Sequence, residues 1–308
     1  MPADGSLPPG TAVEGPLSVY LHVPFCRTRC GYCDFNTYTA TELGGMSIDT
    51  YVDAVTVEMD LAARVLGPLT VQTVFVGGGT PTLLPAETLV GLLDALRRRF
   101  PFADDAEVTT EANPDSVDPG HLARLREGGF TRLSLGFQSA VPHVLDVLER
   151  THTPGRGLDA ARWAHDVGFE HVSLDLIFGT PGERLDDWRR SLDAVARTPV
   201  DHVSACSLIV EPGTRLALQV RKGRIAMPDE DDLADKYLLA DALLTERGFA
   251  NYETSNWALP GGRCRHNLVY WRGGTWWGLG PGAHSHVGGV RFWNRKHPRS
   301  YAAELTAG

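Results

Sequence analysis

The chain of 308 residues is 43% hydrophobic and 22% charged, ordinary globular composition with enough apolar content for a large core in one or two domains. Its net charge of −9 argues against a broad basic footprint for nucleic acid, and no apolar run reaches the roughly 18 residues of a membrane helix. The opening "MPADGSLPPGTAVEGP" lacks the basic start and apolar stretch of a secretory signal. Its Pro and Gly predict a disordered leader over residues 1–16 of a cytoplasmic chain.

Beyond the leader, short β-branched runs recur between amphipathic segments. "SVYLHVP" (18–24), "VQTVFVG" (71–77), "AEVTTEAN" (106–113), "TRLSLGFQ" (131–138), "EHVSLDLIFG" (170–179) and "DHVSACSLIV" (201–210) all read as strands. In "IDTYVDAVTVEMDLAARVL", Tyr51, Val55, Met59 and Ala62 fall at helical steps. "DPGHLARLREGGF" offers Asp118 as an N-cap and Pro119 at the first helical position, with a stop at Gly128 and Gly129. "ERLDDWRRSLDAVAR" is a further amphipathic helix. Strands buried on both faces and joined by crossover helices form parallel sheets. Six such units predict a partial (β/α)6 barrel over 17–215, a doubly wound sheet being the other arrangement open. Barrel sites gather where strands end, and Gly77–Gly79, Glu111, Asn113, Gln138 and Asp175 fall there. From 216 to 308 the texture changes to a helix and a Gly- and Trp-rich stretch. That reads as a smaller α+β region packed beside the barrel.

Five cysteines is an odd number, and three of them crowd into "CRTRCGYC", so a disulfide framework is a poor account. Thiolates suit zinc, copper(I) or iron–sulfur iron. Structural zinc wants four protein ligands, usually in two pairs, and His22 could supply the missing one only from within a predicted strand. A four-iron four-sulfur cluster usually takes four cysteines, so three would leave one iron open to a substrate or cofactor. Unliganded reactive thiols are the third reading.

The C-x3-C-x2-C spacing with Tyr32 before the third cysteine resembles the radical S-adenosylmethionine (SAM) family. That resemblance implies a 4Fe-4S cluster on Cys26, Cys30 and Cys33, with SAM on its open iron. It places Tyr20, Tyr32, Phe35, Gly78, Gly79, Thr80, Glu111, Gln138, Arg150 and Asp175 around SAM. Glu111 and Asp175 lie in otherwise apolar strands, where an unpaired carboxylate is costly, which independently favours a polar role for them.

"YLHVPFCRTRCGYCDF", "GGGTPTLL", "LSLGFQS", "DLIFGTPGE", "YETSNWALPGGRCRHNLVYW" and "GLGPGAHS" together resemble the oxygen-independent coproporphyrinogen III oxidase-like group. Its true oxidases carry a fourth cysteine two residues after the third, where this chain has Phe35, and a longer extension ahead of the cluster. Phenylalanine there, with the H-N-x-x-Y-W motif at His266, Asn267, Tyr270 and Trp271, is the pattern of the group's heme-chaperone branch. The resemblance implies a protein that binds the cluster, SAM and heme and delivers heme to heme-receiving proteins such as respiratory enzymes. It also implies an electron donor for the cluster, allows a homodimer, and allows peripheral contact with a membrane during delivery. The alternative is coproporphyrinogen III oxidation in heme biosynthesis; whether SAM is cleaved is left open. His266 is the candidate heme ligand and Cys264 its rival, with Tyr270, Trp271, Trp276 and Trp277 offering the porphyrin a flat apolar surface. His284 and His286 read as closing a glycine-rich turn. Members of the group usually continue with a helical region past "WNRKHPRSYAAELTAG", so the expectation is of an apparently truncated chain.

Overall fold

All six β-branched runs form strands. The computed structural model describes residues 5–306. In it β1 (Leu17–Val23), β2 (Val71–Gly78), β3 (Phe102–Ala112), β4 (Arg132–Gln138), β5 (His171–Phe178) and β6 (His202–Ser207) lie side by side in chain order. Every neighbouring pair among them is parallel. The crossovers carry α1 (Ile48–Leu66), α2 (Ala86–Arg97), α3 (Pro119–Glu127), α4 (Pro142–Val147), α5 (Arg156–Asp166) and α6 (Leu185–Val195). Tyr51, Val55, Met59 and Ala62 form the buried stripe of α1, as their spacing predicts. Its N-terminus is capped by Ser47, whose hydroxyl accepts from the Thr50 amide at 3.1 Å. Asp118 caps α3 by accepting from the His121 amide at 2.7 Å.

The strands are buried on both faces, as expected, but they are apolar mainly on one. Leu17, Val19, Leu21 and Val23, then Val74 and Val76, Leu133 and Leu135, and Leu174 and Leu176 pack with the helices in one core. The intervening residues face the barrel interior and are largely polar. Thr73 donates to Ser18 at 2.8 Å, Arg132 pairs with Glu107 at 3.2 Å, and Ser134 donates to Asp175 at 2.8 Å. Period-two alternation therefore sorts each strand between a helix-covered core and a hydrogen-bonded lumen.

The region after residue 215 contains α7 (Arg215–Arg221), α8 (Glu230–Glu246), α9 (Arg265–Trp271) and α10 (Pro298–Thr306). It also contributes β7 (Ala250–Glu253), β8 (Asn256–Ala258), β9 (Thr275–Leu279), β10 (His284–Val287) and β11 (Val290–Trp293). These strands do not build a separate sheet beside the barrel. β9 joins β1 in parallel, and β8 joins β6 antiparallel. One eleven-stranded sheet results, in the order β11-β10-β9-β1-β2-β3-β4-β5-β6-β8-β7, with β11 and β7 at its edges. The physical reason is edge satisfaction: a six-stranded partial barrel leaves unpaired backbone on β1 and β6, and the later strands cover both.

Buried Glu58 in α1 ties this region down. It accepts from the Gly280 amide at 2.8 Å, the Asn294 amide group at 2.7 Å and the Tyr301 hydroxyl at 2.5 Å. The expected disordered leader also differs in part. Residues 5–16 have no helix or strand, but Leu7 and Val13 pack on the core and the Glu14 carbonyl accepts from Thr275. Residues 1–4 of that leader lie outside the described residues. Among the described residues no helix is long and apolar enough to cross a membrane.

Candidate functional site

The loop after β1 holds its three cysteines by backbone bonds to distant elements. The Cys26 amide donates to Tyr38 O at 3.0 Å, the Gly31 amide to Leu148 O at 3.2 Å, and the Leu216 amide to Gly31 O at 2.9 Å. Tyr32 packs into a small satellite core of Val141, Val144, Leu148, Leu208 and Leu216. Cys26, Cys30 and Cys33 then line one cavity of about 680 Å³ at the C-terminal ends of the strands. Burial raises the thiol pKa of Cys26 and Cys33, so a bound metal is what would keep them as thiolates. Among the described residues no three His, Cys, Asp or Glu side chains converge on a point that could hold one metal ion. A cluster that gives each thiolate its own iron needs no such convergence. The zinc alternative also loses its fourth ligand, because both His22 ring nitrogens are engaged. Nε2 is 2.9 Å from Asn36 O and Nδ1 is 3.0 Å from the Tyr20 hydroxyl.

The glycines after β2 lie directly against that loop. The Gly79 and Thr80 amides donate to Val23 O and Phe25 O, each at 2.8 Å. A Cβ on Gly79 would stand 2.4 Å from Phe25 O and 3.0 Å from Cys26 Sγ. Gly78 has φ of 113°, a conformation side-chain-bearing residues rarely adopt, and its amide donates to Glu111 at 2.9 Å.

Glu111, Gln138, Arg150 and Asp175 converge on the same cavity from β3, β4, the segment after α4 and β5. Burial, reinforced by the negative charge of Asp175, pushes the Glu111 carboxyl up to about 7, although the Gly78 amide pulls it back. Burial pushes Asp175 up to about 6 against the Ser134 and Ser173 hydroxyls. Arg150 reaches Cys30 Sγ at 3.4 Å and Gly136 O at 2.9 Å, so it turns towards the cysteine loop, with Nε left unpartnered. Gln138 Oε1 is buried and unpartnered as well. Gln138 (φ 59°) and Glu149 (φ 52°) are the two non-glycine residues with left-handed backbone among the described residues, and both line this cavity. Such strain costs roughly 1–3 kcal/mol per residue and clusters at ligand sites. Unpartnered polar atoms, tight glycines and strained backbone on one cavity are what a SAM-sized cofactor and a thiolate-held cluster would require. The residues present fit both groups.

Two cavity residues were not singled out from sequence. Cys206 is the penultimate residue of β6, where the strand-end rule could have found it. His152 is nearly buried, with its pKa lowered to about 4 by desolvation and by Arg150.

Several expected residues stand elsewhere. Tyr20 lines a neighbouring cavity of about 750 Å³, together with Tyr270 and Trp276, while Phe35 borders both cavities. His266 is 1% exposed and committed on both ring nitrogens. Thr73 spends its proton on Ser18, so Nδ1–H donates to Thr73 at 2.7 Å and Nε2 accepts from the Tyr270 hydroxyl at 2.8 Å. Both nitrogens of this candidate heme ligand are thus engaged within the protein, and burial lowers its pKa to about 4. The rival Cys264 is buried against Glu107, its thiol pushed up to about 12. Trp277 lies in the core with Phe292 rather than on a porphyrin surface. The H-N-x-x-Y-W segment is anchored to the barrel: α9 packs on β2, and the Arg265 and His266 amides donate to Glu107 at 3.1 and 3.0 Å.

The family model described as "Radical SAM superfamily" matches residues 20–195. Among curated proteins, "Heme chaperone HemW" of Mycobacterium tuberculosis (strain ATCC 25618 / H37Rv) is 58% identical over 95% of this chain and 75% of its own. The protein of that name from Escherichia coli (strain K12) is 37% identical over 93% of this chain and 75% of its own. Among solved structures, coproporphyrinogen III oxidase (HemN) from Escherichia coli, described as a radical SAM enzyme, superposes with a TM-score of 0.83 at 26% identity. The match covers 97% of this chain and 71% of that one.

Proposed function

The chain belongs to the radical SAM superfamily and, within it, to the family of proteins named heme chaperone HemW, and on that ground we propose that it binds heme and passes it to heme-requiring proteins. Phe35 carries the choice of branch. It stands 61% exposed, bordering both cavities, where the oxidase branch has a further thiolate. Cys26, Cys30 and Cys33 would hold a 4Fe-4S cluster, which would supply an iron free to bind SAM and would pass it an electron received from an external donor.

The chain's own residues do the rest. Gly79 and Thr80 bring backbone close to the cysteine loop. Glu111 and Asp175 offer carboxylates that ionise near neutral pH, suited to the cationic and hydroxyl groups of SAM. Gln138 keeps an amide oxygen unspent, and the Arg150 cation beside Cys30 offsets thiolate charge. In this reading residues 17–215 carry the cofactor site and 216–308 the family-specific part, within a single sheet.

The likeness to HemN supports coproporphyrinogen III oxidation as the second reading; Phe35 argues against it. The test is anaerobic reconstitution with iron and sulfide analysis, then hemin loading and transfer to an apo-heme protein, beside an assay for protoporphyrinogen formation. Cluster assembly with hemin transfer and no turnover is expected. Turnover of coproporphyrinogen without transfer would replace the chaperone with the oxidase.

A further inference from the structure

The cavity beside the cluster site is built from both halves of the chain. Its floor includes the cysteine-loop residues Asp34 and Phe35, and its far wall comes from α9 and β9–β11. At about 750 Å³ it falls within the roughly 300–1,000 Å³ of small-molecule sites. Three features of its lining point to one ligand class.

The first is aromatic. Tyr270 and Trp276 meet edge to face with centroids 4.8 Å apart, and exposed Phe35 lines the same cavity. A flat conjugated ligand gains from such walls. The second is charge. Arg29, Arg291 and Lys296 line the cavity against the single carboxylate of Asp34. Arg29 already pairs with Glu42 at 3.4 Å. Arg291 lies over the Trp276 ring at 5.4 Å, and neither it nor Lys296 has a carboxylate partner among the described residues. The Lys296 backbone is held in place by the Asn36 amide group at 2.8 Å and the Tyr38 hydroxyl at 3.2 Å. Two cations without a carboxylate partner among the described residues thus line an open cavity. The third is an imidazole. His284 lines the cavity, exposed, its ring stacked on Trp293 with centroids 5.6 Å apart. Unlike His22 and His266, it makes no side-chain hydrogen bond among the described residues. Partial burial, with the positive charge of Arg291 and Lys296, lowers its pKa and favours the neutral form that ligates metal.

We propose that this cavity is the heme site: His284 ligates the iron, Arg291 and Lys296 face the two propionates, and Tyr270, Trp276 and Phe35 flank the ring. The assignment rests on the heme-chaperone reading but replaces its sequence-based ligand. Phe35, bordering both cavities, then separates a bound porphyrin from the cofactor site. His284, far from merely closing a glycine-rich turn, presents the ligand from the strand beside that turn.

The test titrates cluster-loaded protein with hemin, following the Soret difference spectrum and the electron paramagnetic resonance of the ferric heme. Metal-free protoporphyrin IX, followed by fluorescence, is titrated in parallel. His284→Ala should weaken hemin binding by about tenfold or more and remove the histidine-ligated signal, leaving metal-free porphyrin affinity within about twofold. The double variant Arg291→Glu with Lys296→Glu should weaken both titrations by about tenfold or more. His266→Gln should keep the wild-type heme signal. These three exposed positions carry little of the core, so thermal midpoints near wild type are expected for their variants. Unchanged hemin affinity and signal in His284→Ala would overturn the site while leaving the heme reading intact. No saturable hemin binding by the wild type would overturn both.

Discussion

His266 shows what one buried side chain can decide. Its folded pKa near 4 lies below the ordinary value of 6.5, so the native state prefers the neutral ring. The stability this contributes is fully present above about pH 6.5 and is lost as pH falls towards 4. For a fully buried group a shift of that size is worth about 3 kcal/mol. His266→Gln should therefore lower the thermal midpoint at pH 7.5 and flatten its fall between pH 6.5 and 4.5. An acid limb as steep as wild type would show that His266 does not carry the effect. The motif holding His266 is legible as a motif, but its role is not. Spacing within H-N-x-x-Y-W carries no trace of Thr73, which engages the imidazole from a strand far away in the chain. That Cys26, Cys30 and Cys33 share one cavity was legible because their information is local, three thiols in one loop. Arg150 was found, but its turn towards Cys30 depends on the path of the segment after α4, which sequence does not display.

Strands were the most legible elements, because β-branched runs bounded by Gly, Pro and Asp stand out against helical spacing. What the runs concealed was the polarity of the lumen, since Thr, Ser and Glu in a strand read alike whether they face water or a hydrogen-bonded interior. The two faces should respond differently to truncation. Leu174→Ala on the helix-covered face of β5 is expected to cost about 2–5 kcal/mol by denaturant unfolding, with the cavity it leaves adding to the lost burial. A cost below 1 kcal/mol would mean that the helices re-pack over β5. The glycine loop after β2 is the opposite case, where an element's value lies in what it omits. A methyl group at Gly79 meets Phe25 backbone and Cys26 Sγ. Gly79→Ala should at least halve the iron and sulfide taken up on reconstitution while the fold persists in circular dichroism. Full cluster loading in that variant would show that the loop can yield.

The sheet is continuous from β11 to β7, so residues 216–308 act as its two flanks rather than as a module. Composition marked the change of texture near residue 215 but could not reveal which edges the later strands would seek. Edge pairing is set by vacant backbone groups, and these carry no side-chain signature. One cooperative unfolding transition is therefore expected by calorimetry, with calorimetric and van't Hoff enthalpies in agreement. Two resolved transitions would restore the two-domain picture. A chain ending at residue 215 should expose the free edges of β1 and β6 and self-associate, which light scattering would detect; a stable, monomeric fragment would contradict it.

The pairing of Leu17 with Thr275 in the β1–β9 ladder has a consequence for synthesis. The first strand leaves the ribosome long before β9, one of its two neighbours, is translated. Until that segment emerges, β1 offers bare peptide groups along one side, with Leu17, Val19 and Leu21 beside them. Folding of this topology must wait for long-range closure, and the nascent chain carries an adhesive margin until β9 is made. In the finished protein β9 seals that margin, and the next strands carry the aromatic and basic wall of the second cavity. The vulnerable interval thus ends as that wall falls into place, so that a chain unable to complete the cavity is also one whose nascent edge stays open to aggregation and quality control.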